Sequence, residues 1–227
     1  MAALTLEGHL GRSVAIDLCP NCQAFWFDRY ESLQLSAASV LELFKLIARA
    51  GPVKAALSRD ATCPLCQRKL HAVKDLQRRT RFEYRDCLNH HGRLISFFNF
   101  LREKDFIRPL SPAQVDELRR NVHMVNCSNC GAPIDLAAGT ACGHCGSPLS
   151  MLDVGQAEAL VAALRAAGRG PHAPDRALPL DLERARRDVN RAFESFQHAP
   201  GWYTNVAEDG LVHAAIDAFS TWLSTDL

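Results

Sequence analysis

Residues 127–146 read CSNCGAPIDLAAGTACGHCG and contain two C-x2-C pairs separated by 11 residues. The segment is rich in glycine and too short to bury a hydrophobic core of its own, so another interaction must hold it together. Four thiolates around a tetrahedral zinc ion supply such an interaction, and soft sulfur ligands select zinc or iron over magnesium or calcium. The spacing predicts a four-cysteine zinc ribbon, with a rubredoxin-like iron site as the alternative; its ligands are Cys127, Cys130, Cys142 and Cys145.

A second set of ligands lies upstream. Cys63 and Cys66 form another C-x2-C pair, and the 20 residues before Cys87 are enough for a hairpin that returns to this pair. His90 and His91 both follow Cys87 at a ligand spacing. His91 is slightly favoured because a glycine follows it, as one follows three of the four ribbon cysteines, but the choice stays open. The pattern predicts a site of three cysteines and one histidine; the alternative is a buried Cys87 with both histidines on the surface.

The remaining pair, Cys19 and Cys22, has no second half at ribbon spacing. Further ligands would come from His9, from His71 or from a partner subunit. A metal-free pair of ordinary thiols is the equal alternative. The sequence therefore predicts two complete ligand sets and one incomplete set, all for Zn²⁺.

Residues 5–35 add a longer pattern around this pair. The second cysteine is followed by an aromatic residue, a W-x-D element and a glutamate, which are represented here by Trp26, Asp28 and Glu31. This stretch resembles the second half of the bacterial transcription-factor-IIB-type zinc ribbon, whose upstream C-P-x-C knuckle has no counterpart in this sequence. The resemblance implies structural zinc binding rather than catalysis, and a relation to transcription.

Composition restricts the class of protein. Of the 227 residues, 48% are apolar and 22% are charged, which argues against wholesale disorder. Eight of the nine cysteines are tightly paired and no signal peptide is recognised, so a disulfide framework is disfavoured. No apolar run is near the length of about 20 residues that spans a bilayer. We expect a cytoplasmic protein without a membrane contact.

Positive charge is concentrated in the middle of the chain. The formal net charge is +1 overall, but residues 54–123 carry 15 basic and 8 acidic side chains. Aromatic residues lie among these arginines, as in proteins that bind nucleic acids. The alternative is that the aromatic residues belong to the core and the arginines to a solvated rim. The predicted nucleic-acid-binding residues are Arg78, Arg79, Arg81, Arg85 and Arg93.

Apolar periodicity and capping residues outline the secondary structure. The expected helices are 36–50, 111–121, 154–167, 181–198 and 210–223, and a β-hairpin is expected within 63–87. The predicted fold class is α+β, with β-hairpin zinc ribbons linked by helices and a helical C-terminal segment. The predicted domains are 1–53 (incomplete ribbon half plus helix), 54–123 (three-cysteine, one-histidine ribbon plus helices), 124–150 (four-cysteine ribbon) and 151–227 (helical, with a linker at 168–180).

Two classes of function fit this organisation. The first is a non-catalytic zinc-ribbon protein that binds nucleic acid or a transcription-related protein partner. The second is a protein–protein interaction scaffold whose ribbons are structural and whose helical tail docks a partner or self-associates. An enzyme is disfavoured because a catalytic zinc keeps an open position and the four-cysteine set leaves none. The oligomeric state is left undetermined.

Overall fold

The computed structural model describes most of the chain up to residue 153 and shorter stretches beyond it. The described residues are 1–8, 12–28, 30–77, 80–153, 155–157, 159, 162 and 210–217. Within them the protein is a mixed α+β structure built around one antiparallel sheet, which agrees with the expected class. No helix in these ranges is both long enough and apolar enough to cross a bilayer.

The main sheet contains six antiparallel strands. In chain order they are β1 (Ala2–Glu7), β2 (Ser13–Cys19), β3 (Ala24–Asp28), β4 (His71–Gln77), β5 (Thr80–Asp86) and β6 (Gly92–Ser96). Their order in the sheet is β1-β2-β3-β6-β5-β4, so β3 and β6 pair at its centre. The hairpin expected within 63–87 is confirmed as β4–β5, in which Gln77 pairs with Thr80.

The central pairing crosses a predicted domain boundary. β3 lies in the predicted unit 1–53 and β6 in the predicted unit 54–123, yet Phe25 is directly opposite Ile95. Residues 24–27 on β3 are all buried, so this strand needs a neighbour on its second edge. The division at 53/54 therefore passes through one continuous sheet.

Four helices and four short strands accompany the main sheet in the described residues up to 153. The helices are α1 (Glu31–Gln34), α2 (Ala37–Ala50), α3 (Phe97–Glu103) and α4 (Pro112–Asn121). The short strands are β7 (Ile107–Pro109), β8 (Met124–Asn126), β9 (Pro133–Asp135) and β10 (Ser150–Leu152), which pair as β10–β7 and β8–β9.

The helices expected at 36–50 and 111–121 are confirmed. The Ser36 side chain caps α2 by accepting a hydrogen bond from the Ser39 N–H, and the helix ends at Gly51 with φ 72°. Ser111 and Gln114 form a reciprocal capping box at the start of α4. Local sequence signals are therefore enough to fix both helices.

Aromatic side chains form the main core between the sheet, α2 and α3. The rings of Phe25 and Phe100 lie 5.5 Å apart, and those of Phe44 and Phe97 lie 5.7 Å apart, both nearly edge to face. All four side chains are buried. A second core fills the segment around β8 and β9 and contains Leu118, Ile134, Leu136 and Leu149 together with cysteine side chains.

A helix at 211–217 joins these two cores. Residues 211–216 are all buried. Leu211 and Ala214 pack in the second core, whereas Val212, Ala215 and Ile216 pack in the main core. This stretch is the described part of the helix expected at 210–223. The linker at 168–180 and the helix expected at 181–198 lie outside the described residues, as does most of 154–167.

Candidate metal centres

The four ribbon cysteines converge on one point. Their sulfur atoms all lie within 4.8 Å of one another. The Sγ atoms of Cys127 and Cys145 are 3.6 Å apart, and those of Cys130 and Cys142 are 3.7 Å apart. Cys127 and Cys142 are buried. This arrangement offers four soft donors to a single metal ion, which is the donor set of structural zinc.

Two glycines shape the turns that carry these cysteines. Gly131 and Gly146 both have φ 73°, a conformation that a side chain disfavours. The Gly131 N–H donates to the Cys127 carbonyl at 2.8 Å, and the Gly146 N–H donates equivalently to Cys142 at 2.8 Å. Each turn thereby brings both of its sulfurs to one side.

The second group consists of Cys63, Cys66, Cys87 and His91, whose ligand atoms also lie within 4.8 Å of one another. The Cys63 Sγ is 3.5 Å from the His91 Nδ1, and the Cys66 and Cys87 Sγ atoms are 3.6 Å apart. The hairpin β4–β5 returns Cys87 to the pair, as the spacing predicts. Of the two histidines left open by the sequence, the structure brings His91 into the group.

His90 remains outside this group. It takes φ 57° in the turn after Cys87 and its side chain is exposed. The Cys87 N–H donates to the Gly92 carbonyl at 3.1 Å, which closes the turn around His90 and leaves His91 beside the sulfurs. The histidine at C-x3-H spacing is therefore the one positioned as a ligand.

Cys19 ends β2 and Cys22 lies on the turn that leads to β3, where burial, together with the neighbouring Cys19 thiol, raises the pKa of Cys22 to about 11. No third donor joins them among the described residues. His71 begins β4, four strands away from β2 in the sheet, which is about 19 Å at the usual strand spacing. His71 is therefore excluded as their ligand, and His9 lies outside the described residues.

Two thiols are held close to the thiolate form. A backbone hydrogen bond from Arg68 lowers the pKa of Cys66 to about 6. A hydrogen bond from the Cys127 thiol lowers the pKa of Cys145 to about 4, whereas burial raises the pKa of Cys130 to about 12. Because metals bind thiolates, the lowered pKa values of Cys66 and Cys145 favour metal binding, whereas Cys130 has to release a proton on binding.

The residues behind the family resemblance are joined by hydrogen bonds. The Trp26 Nε1 donates to the Asp28 carboxylate at 2.8 Å, and the Asp28 N–H donates to the Glu31 carboxylate at 2.7 Å. Trp26 also packs with Cys63 and Cys87 in a small buried cluster. These residues thus brace the end of β3 and contact the second metal group.

The arginines predicted to bind nucleic acid have different surroundings. Arg81 is exposed on β5, and Arg85 is half-exposed and donates to the Arg59 carbonyl at 2.9 Å. The Arg93 guanidinium instead forms an ion pair with Glu103 at 2.8 Å, at a site where the two side chains are 20% and 8% exposed. Arg93 is therefore engaged within the fold, which argues against a phosphate contact. Arg78 and Arg79 lie outside the described residues.

The aromatic residues that lie among these arginines in the sequence belong largely to the core. Phe82 and Phe97 are buried, and Tyr84 is half-buried beneath the Arg93 guanidinium, 5.0 Å from its ring centre. A base could not stack on the two phenylalanines without disrupting the packing around them. This outcome agrees with the alternative that the aromatic residues between the arginines are structural.

A basic groove runs between the hairpin β4–β5 and the four-cysteine ribbon. It consists of two adjoining cavities of about 410 and 590 Å³ that share Glu83 and Cys145. Asp75 and Glu83 are its two carboxylates. The cations that line it are Arg59, Lys74, Arg81, Arg85 and Arg102, and the His144 side chain lines it as well.

Sequence reasoning missed four of these groups, namely Arg59, Lys74, Arg102 and His144. Lys74 was detectable because it pairs with Glu83 in the hairpin and thus shares a face with Arg81 and Arg85. The other three reach the groove only through tertiary packing.

Comparisons of the chain with protein-family models, curated proteins and solved structures gave no match.

Proposed function

We propose that this chain is a non-catalytic zinc protein that binds nucleic acid through the basic groove. Two groups of four donors support zinc as the metal, because thiolate and imidazole ligands in a four-membered set suit Zn²⁺. Each group supplies a full tetrahedral set, which leaves no open position for substrate. Cys130 and Cys145 of the four-cysteine group line the groove, so a zinc ion there would hold that wall in place.

The groove is the observation that carries this proposal. Five arginine and lysine side chains face two carboxylates there, so the local charge is positive although the chain as a whole is nearly neutral. Phosphate groups bind such surfaces by releasing counterions, independently of base sequence. Since Phe82 is buried and Tyr84 is half-buried beneath the Arg93 guanidinium, we infer recognition of the phosphate backbone rather than stacking on bases.

Two further parts of the proposal concern the cellular location and the process in which the protein acts. All nine cysteines are free thiols, which fits a reducing compartment and supports the cytoplasm as the location. The resemblance of residues 5–35 to a transcription-related zinc ribbon supports a role in transcription. Both are proposals on those grounds alone.

Binding to single- and double-stranded oligonucleotides over a salt series tests the function. The logarithm of the affinity should fall linearly with the logarithm of salt concentration. The double variant Lys74→Ala with Arg81→Ala should lower this slope by about 2 and weaken binding to all sequences alike. The matched control is Arg49→Ala with Arg120→Ala, two exposed arginines on α2 and α4.

Two outcomes would overturn the proposal. One is no detectable binding at ~50 mM salt, a concentration at which phosphate contacts are strong. The other is a salt slope that the Lys74 and Arg81 substitutions leave unchanged. Either outcome would favour a protein partner in place of nucleic acid.

A further inference from the structure

The four C-x2-C turns of the chain share one backbone geometry. The residue after the second cysteine has a positive φ in each: 45° at Gln23, 59° at Gln67, and 73° at Gly131 and Gly146. The first cysteine pairs with the residue five positions later in each, as Cys19 pairs with Ala24. Three of these turns belong to the two complete groups. The turn at Cys19 and Cys22 has the same form without a complete group around it.

Tertiary contacts hold this fourth turn in shape. A positive φ is unfavourable for a non-glycine residue, so Gln23 needs support from its surroundings. Gln23 is buried, and its side-chain amide donates to the Gly51 carbonyl. Its own carbonyl accepts a hydrogen bond from the Phe97 N–H at 2.6 Å. Contacts from outside the turn therefore hold these cysteines in the geometry of a metal-binding turn.

The turn is also open to solvent. Pro20 and Asn21 are exposed, and Cys19 and Cys22, on either side of them, are each half-buried. The described residues of the same chain add no third donor, and His71 is too far away. Two more ligands can reach these sulfurs from another molecule.

We propose that Cys19 and Cys22 bind a zinc ion jointly with the same two cysteines of a second copy of this chain. A two-fold axis through the ion would make the two turns equivalent and supply four thiolates, the set that tetrahedral zinc prefers. Each copy releases two thiol protons on binding, and no oxidation state changes. This site is independent of the nucleic-acid groove.

Metal stoichiometry and molecular mass together test the proposal. Protein purified under reducing conditions without added zinc should contain about 2.5 zinc ions per chain, two in the complete sites and half of a shared one. Its mass in solution should be twice that of the 25.1 kDa chain. The variant Cys22→Ser should contain about 2 zinc ions per chain and be a monomer, whereas the control Asn21→Ala should match the unmodified protein.

Several results would overturn the inference. A monomer with about 3 zinc ions would mean that the chain completes the site itself. A protein with about 2 zinc ions and two thiols open to a thiol reagent would mean that the pair binds no metal. A dimer that persists in Cys22→Ser would rest on another interface. The unmodified protein alone distinguishes the first two, so the test does not depend on the variant folding.

Discussion

Between Cys127 and Cys130, the two residues of the turn are hydrogen-bonded to other parts of the fold, whereas Leu65 and Leu88 on the turns of the other group are exposed. The Ser128 hydroxyl accepts from the Val212 N–H at 3.3 Å. Asn129 accepts from the Ser96 hydroxyl at 2.8 Å. Leu65 and Leu88 are 66% and 61% exposed. The same metal-binding turn thus serves as an internal junction in one group and as outer surface in the other.

The residues between the cysteines produce this difference. Serine and asparagine can accept hydrogen bonds from a helix start or a hydroxyl, so the four-cysteine turn connects the helix at 211–217 to the start of α3. Leucine has no polar atom to offer. We therefore expect damage to the four-cysteine group to spread through the molecule, and damage to the other group to remain more local.

Removing one ligand from each metal group should give the largest difference in stability between the two groups. Cys130→Ser should remove one zinc ion and lower the free energy of unfolding by several kcal/mol, because metal binding and ribbon folding are one equilibrium. The second core and the helix at 211–217 should lose order with it. Cys66→Ser should also remove one zinc ion, but with a smaller loss of global stability.

Elemental analysis and denaturant unfolding measure both effects. Hydrogen exchange at the amides of 211–216 reports whether the damage spreads. Equal losses of stability in the two variants, with equal protection of those amides, would contradict the contrast. Iron as the bound metal in either site would contradict the assignment to zinc.

Substitution of Gly210, which precedes the helix at 211–217, should give the next largest loss of stability. Gly210 has φ 77°, and a Cβ there would lie 2.7 Å from the Asn126 carbonyl oxygen. Gly210→Ala should therefore destabilise the protein by about 2 kcal/mol, through backbone strain and a shift of the helix away from the ribbon. Gly139→Ala is the matched control, since nothing lies within 4 Å of a Cβ at that position. Thermal unfolding of the two variants measures the difference, and equal melting temperatures would argue against tight docking.

A third effect is expected at Asn129, in the turn between Cys127 and Cys130. The Asn129 side-chain amide donates to the Ser147 hydroxyl at 3.0 Å, in addition to its contact with Ser96. Asn129→Ala should cost about 1.5 kcal/mol, because the buried Ser96 hydroxyl loses a partner. Asn89 occupies the equivalent position after Cys87 and is exposed. Asn89→Ala should be nearly neutral in the same unfolding experiment, and a comparable cost at both positions would remove the distinction between the turns.

Much of this architecture follows from local signals in the sequence. Cysteine spacing predicts which sulfurs meet, and capping residues predict both ends of α2 and the start of α4. The structure brings Cys63, Cys66 and Cys87 together as the spacing indicates. Such features are predictable because their causes lie within a few residues of each other along the chain.

Long-range pairing could not be predicted in the same way. No short-range signal in the sequence indicates that β3 and β6 pair. Each strand pairs with whichever strand satisfies the hydrogen-bonding groups of its buried edge, and that strand is distant in the sequence. The ion pair of Arg93 with Glu103 joins β6 to α3 and depends on the same packing. For this reason the sequence assigns Arg93 to a binding surface and places a domain boundary inside a sheet.

The smallest effect on stability is expected at the turns that carry the exposed Leu65 and Leu88. The double variant Leu65→Ser with Leu88→Ser replaces two exposed apolar side chains, and surface substitutions of this kind change stability by no more than about 0.5 kcal/mol. Zinc content should also stay the same, since the sulfurs and the His91 imidazole do not depend on either leucine for their position. Denaturant unfolding and elemental analysis of the double variant check both expectations. A loss of 2 kcal/mol or more, or release of the metal, would mean that the leucines support their metal group and that the two groups do not differ in this way.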